Sequence, residues 1–291
     1  MIVIAENSID VLWEQSLRKL MNGTRVMPRG IPCYEITDAK LVLTHATNNL
    51  LVNSVRKLSP RFAVAEWLWI FFGHQDVATI ARYSQRIKQF SDDGVSFNGT
   101  YGVPVIAQWR HTVDTLRRDP FSRQAVISIF RFTDVTKYPE IMQRWESKDI
   151  PCTLSLQYLL RDGQLDCIAT MRSSDVWLGL PYDVFNFSML QSIMAGELGV
   201  RVGQLSLNLG SFHLYESNCE KAAIVIGRHS EPSSHVYSAP LPGAPPLWLD
   251  RALREGPGSD WTLQGTDEWT RYEGALRAKT DEEALRWLRS V

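Results

Sequence analysis

The sequence predicts an α/β chain of the α+β type, because strand-like and helix-like runs follow one another along its length. Three stretches carry that expectation. Runs at 153–160 and 165–171 flank an Arg161-Asp162-Gly163 turn and read as a β-hairpin. The stretch 184–199 reads as an amphipathic helix with Phe185, Phe187, Leu190 and Ile193 on its apolar side, and 205–212 alternates like a strand. With 291 residues and 44% hydrophobic content, the chain can bury a full core as one large domain, or one domain plus an appendage.

Taken in order, Ser8 can cap a first helix over 9–21, and 34–44 reads as a strand. Helices are expected at 60–72, 77–89 and 105–118. Strand-like 125–132 precedes a segment at 137–149, and after Leu214 a helix is expected to run to about residue 227. Residues 229–246, with Ser233, Ser234, Pro240 and Pro242-Gly243-Ala244-Pro245-Pro246, read as a loop or linker. The remainder, with Trp248, Trp261, Trp269, Trp287 and a helix over 281–289, is expected to be a small helical extension packed on the core. The division is therefore 1–227 for the main domain and 228–291 for linker and extension.

Cys152 follows Pro151 and opens the first hairpin strand. The second strand's alternation ends at Arg172-Ser173-Ser174-Asp175, which can bring Arg172 beside Cys152. A guanidinium there binds phosphate bidentately and favours thiolate over thiol, and the thiolate is the nucleophile. A cysteine on an apolar strand is more often inert core. Leu178-Gly179-Leu180-Pro181-Tyr182-Asp183 leads into the helix with Asp183 at the N-cap position, and a lone aspartate there is ordinarily just a cap. His213 and Tyr215, two apart on a strand, face the same way. In isolation such a pair is more often a surface pair than a ligand site.

In this order, Pro151-Cys152, Arg172-Ser173 with Asp175, Leu178-Gly179-Leu180-Pro181, and Gly210 with His213 and Tyr215 resemble the thymidylate synthase family. Upstream, Glu66-Trp67-Leu68-Trp69 with Gly73, Tyr101-Gly102, Gln108-Trp109-Arg110 and Asp119-Pro120-Phe121-Ser122-Arg123 extend the resemblance over 25–218. Each motif is short, and their fixed order makes the joint signal strong. The resemblance implies the thymidylate synthase fold, a mixed sheet flanked by helices that dimerises sheet to sheet.

It also implies roles. Cys152 would add to C6 of a pyrimidine, so that C5 can attack the methylene of methylenetetrahydrofolate. Glu66, in an apolar helix with Val64, Leu68 and Ile70, would organise water and proton transfer, with partial burial raising its pKa. Tyr101 corresponds to a tyrosine close to the reacting carbon. Arg172 and Ser173 would bind the nucleotide phosphate, joined by Arg123 across a homodimer; the family usually has two adjacent arginines there, and this chain has Arg123-Gln124. Arg29, in Pro28-Arg29-Gly30, is the first candidate to complete the cluster, and Arg25 the second. His213 and Tyr215 would hydrogen-bond the sugar, and Asp175 and Trp69 would lie on the folate side.

Asp183 stands where thymidylate synthases place an asparagine, and phage deoxycytidylate hydroxymethylases share the aspartate. A carboxylate accepts from N4 and from a protonated N3 of cytosine, whereas it would face the O4 lone pairs of uracil. The region corresponding to the family's tryptophan-bearing segment, 86–94, has no tryptophan, and 285–291 is unlike the tail of methyl-forming enzymes. The expectation is a hydroxymethyltransferase acting on dCMP or CMP with methylenetetrahydrofolate and no metal. The alternatives are a thymidylate synthase or dUMP hydroxymethylase, and a non-catalytic nucleotide-binding relative, against which Cys152, Glu66 and Tyr101 together argue.

Net charge −1 gives no basic excess for nucleic-acid binding, so a free nucleotide is the expected substrate. Cys33, Cys152, Cys167 and Cys219 show no CxxC spacing, and no secretory leader is read, so neither a zinc site nor a disulfide framework is expected. A cytoplasmic setting suits a working thiolate, and no apolar run is long enough for a membrane span.

Overall fold

The computed structural model describes residues 2–134, 147–228, 241–258 and 268–289. The chain starts with β1 (Ile2–Glu6), α1 (Ile9–Leu20), β2 (Thr24–Val26), a 3-10 turn (Pro28–Gly30) and β3 (Cys33–Leu43). Ser8 caps α1 by accepting from the Val11 N–H, as expected. Next comes α2 (Pro60–Phe71), with Ser59 as its cap, Pro60 at the first helical position, and every residue but Arg61 and Glu66 buried.

The helix expected over 77–89 is two pieces, α3 (Val77–Ile80) and a 3-10 turn (Gln85–Phe90). At the break the Arg82 and Tyr83 N–H groups bond three residues back, to the Thr79 and Ile80 carbonyls. The Gln85 side-chain amide donates to the Ala81 carbonyl, the acceptor that Gln85's own backbone N–H would take in a continuing helix. Then α4 (Gly102–Arg118) starts three residues earlier than expected, while β4 (Val126–Ser128) is shorter. Beyond Ser128 the N–H groups of Ile129 and Phe130 both reach the Leu154 carbonyl, which ends regular pairing. Of the segment at 137–149, residues 137–146 lie outside the described residues.

The hairpin is present as β5 (Thr153–Arg161) and β6 (Gln164–Asp175), joined by Asp162 and Gly163 at φ 50° and 70°. Positive φ at both turn residues gives the twist that a two-residue hairpin needs. β6 continues past Met171 because its other edge pairs in parallel with β7 (Arg201–Tyr215), through Ser173↔Ser211 and Asp175↔His213. Between them lies α5 (Leu180–Leu198), which stops at Gly199 in the left-handed conformation, φ 68°. Two expectations for this helix are corrected. Asp183 is not the N-cap, because Gly179 holds that place and Pro181 sits in the first turn; nor is the helix amphipathic, since residues 184–195 are all buried.

After a 3-10 turn (Glu216–Asn218) come α6 (Cys219–Arg228), α7 (Leu247–Glu255), α8 (Thr270–Arg277) and α9 (Asp281–Arg289). The linker residues 229–240, with Ser233, Ser234 and Pro240, and Trp261 lie outside the described residues.

The sheet order is β1-β3-β7-β6-β5-β4, with β2 on β3. Its β1–β3 and β6–β7 pairs are parallel and the others antiparallel, so the sheet is mixed. Helices α1 and α5 cover it, and α2 packs on α5. Trp13, Trp67, Tyr158, Phe185 and Phe187 are among the fully buried side chains of this core.

The three C-terminal helices grip α2 along its length. At its start the Ser59 hydroxyl donates to Asp281 at 2.6 Å and the Arg61 guanidinium to the same carboxylate at 3.0 Å. In the middle Trp67 stacks on Trp269, centroids 6.4 Å apart, and meets Tyr272 edge-on at 5.0 Å. Just past its end His74 lies 2.6 Å from Asp250 of α7. Among the described residues no helix is long and apolar enough to cross a membrane.

Candidate active site

The hairpin register brings Arg172 to Cys152: its N–H donates to the Cys152 carbonyl at 2.9 Å. The guanidinium is tethered by Nε to the Pro151 carbonyl at 2.9 Å and by Nη2 to the Ile150 carbonyl at 2.8 Å, with Nη2 3.6 Å from Cys152 Sγ. Gly210 lies across from it on β7, where a Cβ would come within 3.0 Å of the Arg172 carbonyl. Burial pushes the Cys152 thiol up; Arg172 and, less strongly, Arg29 pull it back, while Asp183 and Asp149 push it further up. The net direction is upward, so burial outweighs the guanidinium that the sequence reading emphasised.

Tyr101, at the head of α4, closes the next side. Its hydroxyl accepts from the Thr153 N–H at 3.3 Å, and its ring stacks on Phe187 of α5 at 6.4 Å. Burial holds its phenol well above the ordinary value, and the negative charges of Asp183 and Cys152 act the same way.

Two carboxyls, Glu66 on α2 and Asp183 on α5, lie within electrostatic reach of each other. Burial pushes Glu66 from 4.5 to about 7, against the opposing pull of a 2.8 Å hydrogen bond that Oε2 accepts from Asn186 Nδ2. Asp183, in the first turn of α5, is held well above the usual carboxylate range by burial, then by Glu66 and Asp175. Both side chains are half-buried. A neutral carboxyl there has one donor and one acceptor to offer.

Asp175 and His213 are partners across β6 and β7. Burial favours the neutral form of each: it raises Asp175 and lowers His213, and each partly offsets the other's loss of charge. Asp175 Oδ1 accepts from the N–H groups of Trp177 (2.8 Å) and Leu178 (3.1 Å), fixing the turn before α5. Tyr215 meets the His213 ring edge-on at 5.1 Å. Ser173 is half-buried opposite Ser211.

Of the N-terminal arginines, Arg25 is ion-paired with Glu216 at 2.5 Å. Arg29 is exposed, has φ 54°, and lies within electrostatic reach of both Cys152 and His213. Two further residues of the predicted set lie away from this cluster within one chain, and for Arg123 that agrees with its expected place across a homodimer interface. Arg123 is exposed in the loop before β4, where its backbone carbonyl accepts from Gln157. Trp69 is 6% exposed; its indole N–H donates to the Asp76 carbonyl at 3.1 Å and its ring packs edge-on against Phe97.

Two residues were missed. Asn186, whose only signal in the sequence is its place one helical turn after Asp183, holds Glu66. Arg56 donates to the carbonyls of Trp177 (2.5 Å) and Leu178 (3.3 Å) and lies over the Tyr182 ring, bracing the same turn as Asp175.

A thiol beside a tethered guanidinium at the sheet, with two proton-holding carboxyls on the helices α2 and α5, defines a class of protein equipped with a nucleophile, a fixed cation and groups that can move protons. The thymidylate synthase family model matches residues 14–239, and the chain belongs to that family. It is similar to the deoxyuridylate hydroxymethyltransferase of Bacillus phage SP01, 31% identical over 214 residues, covering 67% of this chain and 54% of that protein. The deoxyuridylate hydroxymethyltransferase of Pseudomonas phage M6 is 27% identical over 235 residues, covering 76% and 64%. The chain thus spans between about half and two thirds of the length of these relatives.

Proposed function

We propose that this chain transfers a hydroxymethyl group to C5 of a cytosine nucleotide, dCMP or CMP, with methylenetetrahydrofolate as co-substrate. Cys152 Sγ adds to C6 of the base, which makes C5 nucleophilic toward the one-carbon unit that the folate supplies when bound. Arg172, Ser173 and Arg29 take the phosphate, Arg123 of the partner subunit joins them across a homodimer, and His213 and Tyr215 take the sugar. Glu66 moves the proton that leaves C5.

The observation that carries the base assignment is the Asp183 carboxyl, held toward its neutral form by burial and by the charge of nearby Glu66. A carboxyl that keeps its proton donates to N3 of cytosine and accepts from the N4 amino group, with no buried charge left over. Attack at C6 pushes electron density toward N3, which is basic enough to take that proton as the charge arrives. Uracil offers the reverse pair, N3–H and O4, and a neutral carboxyl can meet both. O4 is a much weaker base, so the proton must stay on Asp183 and assists less.

That uracil pairing gives the second reading, dUMP as substrate, which the names of the two phage relatives favour. Incubation with CMP, dCMP and dUMP plus methylenetetrahydrofolate, followed by mass measurement, separates them. The expected product is a cytosine nucleotide heavier by one CH2O unit, with tetrahydrofolate regenerated. Turnover of dUMP alone overturns the base assignment, and accumulation of dihydrofolate with a methylated product overturns hydroxymethylation.

A further inference from the structure

Asn186 is a buried polar group of this centre for which the mechanism above has no use. It is 2% exposed, lies one helical turn beyond Asp183, and faces Glu66 through Nδ2. Its Oδ1 is buried with no hydrogen-bond partner among the described residues. A buried amide oxygen left unpaired costs roughly 1–3 kcal/mol, so one in a core has a reason to be there. The stem of the residue is already fixed: neighbouring Phe185 and Phe187 are 1% exposed, and Phe187 stacks on Tyr101. What the amide offers is therefore one occupied donor and one free acceptor, side by side next to a carboxyl that can hold or release a proton.

We infer that Asn186 is the positioning residue for the water that completes the reaction, accepting from it through Oδ1 while Nδ2 keeps Glu66 turned toward the same molecule. The inference rests on the hydroxymethyl reading above. In the step it serves, the water oxygen forms a bond to the exocyclic methylene carbon on C5, and one water proton passes to the Glu66 carboxylate. The methylene π electrons move to C5, then form the C5–C6 double bond as the C6–S bond breaks, and Cys152 leaves as thiolate. Water held by two acceptors presents its lone pair rather than its protons to the electrophilic carbon. A misplacement of about 1 Å at such a step costs on the order of a hundredfold in rate.

The test follows two products of one intermediate. Enzyme is incubated with methylenetetrahydrofolate and a cytosine nucleotide tritiated at C5, in the presence of 2-mercaptoethanol, whose thiolate competes with water for the exocyclic methylene. Tritium release reports the steps before water attack, and the ratio of hydroxymethyl to thioether product reports that attack. For Asn186→Leu, which keeps the volume without the polar atoms, the ratio is expected to fall at least tenfold while tritium release falls less. Asn186→Ser, which restores a small acceptor, is expected to recover part of the ratio. Parallel loss of tritium release and product with an unchanged ratio overturns the role of Asn186 alone. A wild-type enzyme that releases tritium and yields only methylated product overturns the hydroxymethyl reading, and this inference with it. Loss of native circular dichroism in both variants assigns Asn186 a structural role and also overturns it.

Discussion

Arg172 Nη2 lies 3.6 Å from Cys152 Sγ while the same guanidinium is tied to the carbonyls of Pro151 and Ile150. The tether fixes the cation beside the thiol. Because burial raises the thiol and Arg172 is the strongest opposing influence, removing Arg172 raises the thiol further. Less thiolate is then present at any given pH. Arg172→Ala is expected to move the pH midpoint of iodoacetamide alkylation of Cys152 upward and to lower kcat/KM ten- to a hundredfold, the size of one charged hydrogen bond. Arg172→Lys keeps the charge but cannot hold both carbonyls through a planar fork, so an intermediate shift is expected. An unmoved midpoint in Arg172→Ala sinks this account.

Glu66 links the site to stability. Its folded value is about 7 against 4.5 for the free group, so the folded state binds this proton more tightly than the unfolded state does. The favourable contribution is complete below 4.5 and is lost as the pH rises through about 7. Glu66→Gln stays uncharged at every pH, and its amide oxygen can still accept from Asn186. The variant is expected to be more stable than wild type at pH 8 by on the order of 2–3 kcal/mol, with the gap closing toward pH 5. Urea unfolding at the two pH values measures it. A gap that does not change with pH would count against a buried, proton-holding Glu66.

The pairing of Cys152 with Arg172 was legible because a two-residue turn at Asp162 and Gly163 sets the hairpin register, and the register sets which strand ends meet. The place of Asp183 was off by one turn for a local reason: Leu180 and Pro181 already take helical geometry after Gly179. The break after Ile80 is a local switch to bonds three residues back at Arg82 and Tyr83, which no periodicity records. Trp69 sits within the family motif, yet its surroundings come from tertiary packing against Phe97 and Asp76. Asn186 carried only its place one turn after Asp183 as a signal, since its partner Glu66 is 120 residues away along the chain. Motif order therefore carried the hairpin chemistry and the two helix carboxyls Glu66 and Asp183, and lost the Asn186 contact that joins the helices.

Asp183→Asn tests how the base is read. An asparagine amide can still donate and accept, but it has no proton to give to N3 when density arrives there. Cytosine turnover is expected to fall while dUMP turnover is kept or gained, moving the ratio of the two kcat/KM values toward uracil by at least about tenfold. Competition assays with mixed dCMP and dUMP measure the ratio directly. If it does not move, Asp183 does not read the base.

The C-terminal helices are expected to matter to α2 through contacts that act separately. Trp269 is 5% exposed and stacks on the fully buried Trp67, so Trp269→Ala removes a large buried ring and is expected to cost about 3–5 kcal/mol. Asp281 receives the Ser59 hydroxyl and the Arg61 guanidinium at the other end of the helix, with 45% of its side chain exposed. Solvent screening reduces that ion pair, so Asp281→Ala is expected to cost only about 1 kcal/mol. The two contacts sit at different places along α2, at Ser59 and Arg61 and at Trp67, and their combined loss in the double variant is expected to add to within about 0.5 kcal/mol. Urea midpoints of the two single variants and the double variant decide it. A coupling well above that value would mean that α8 and α9 grip α2 as one rigid unit, and that losing either contact releases both.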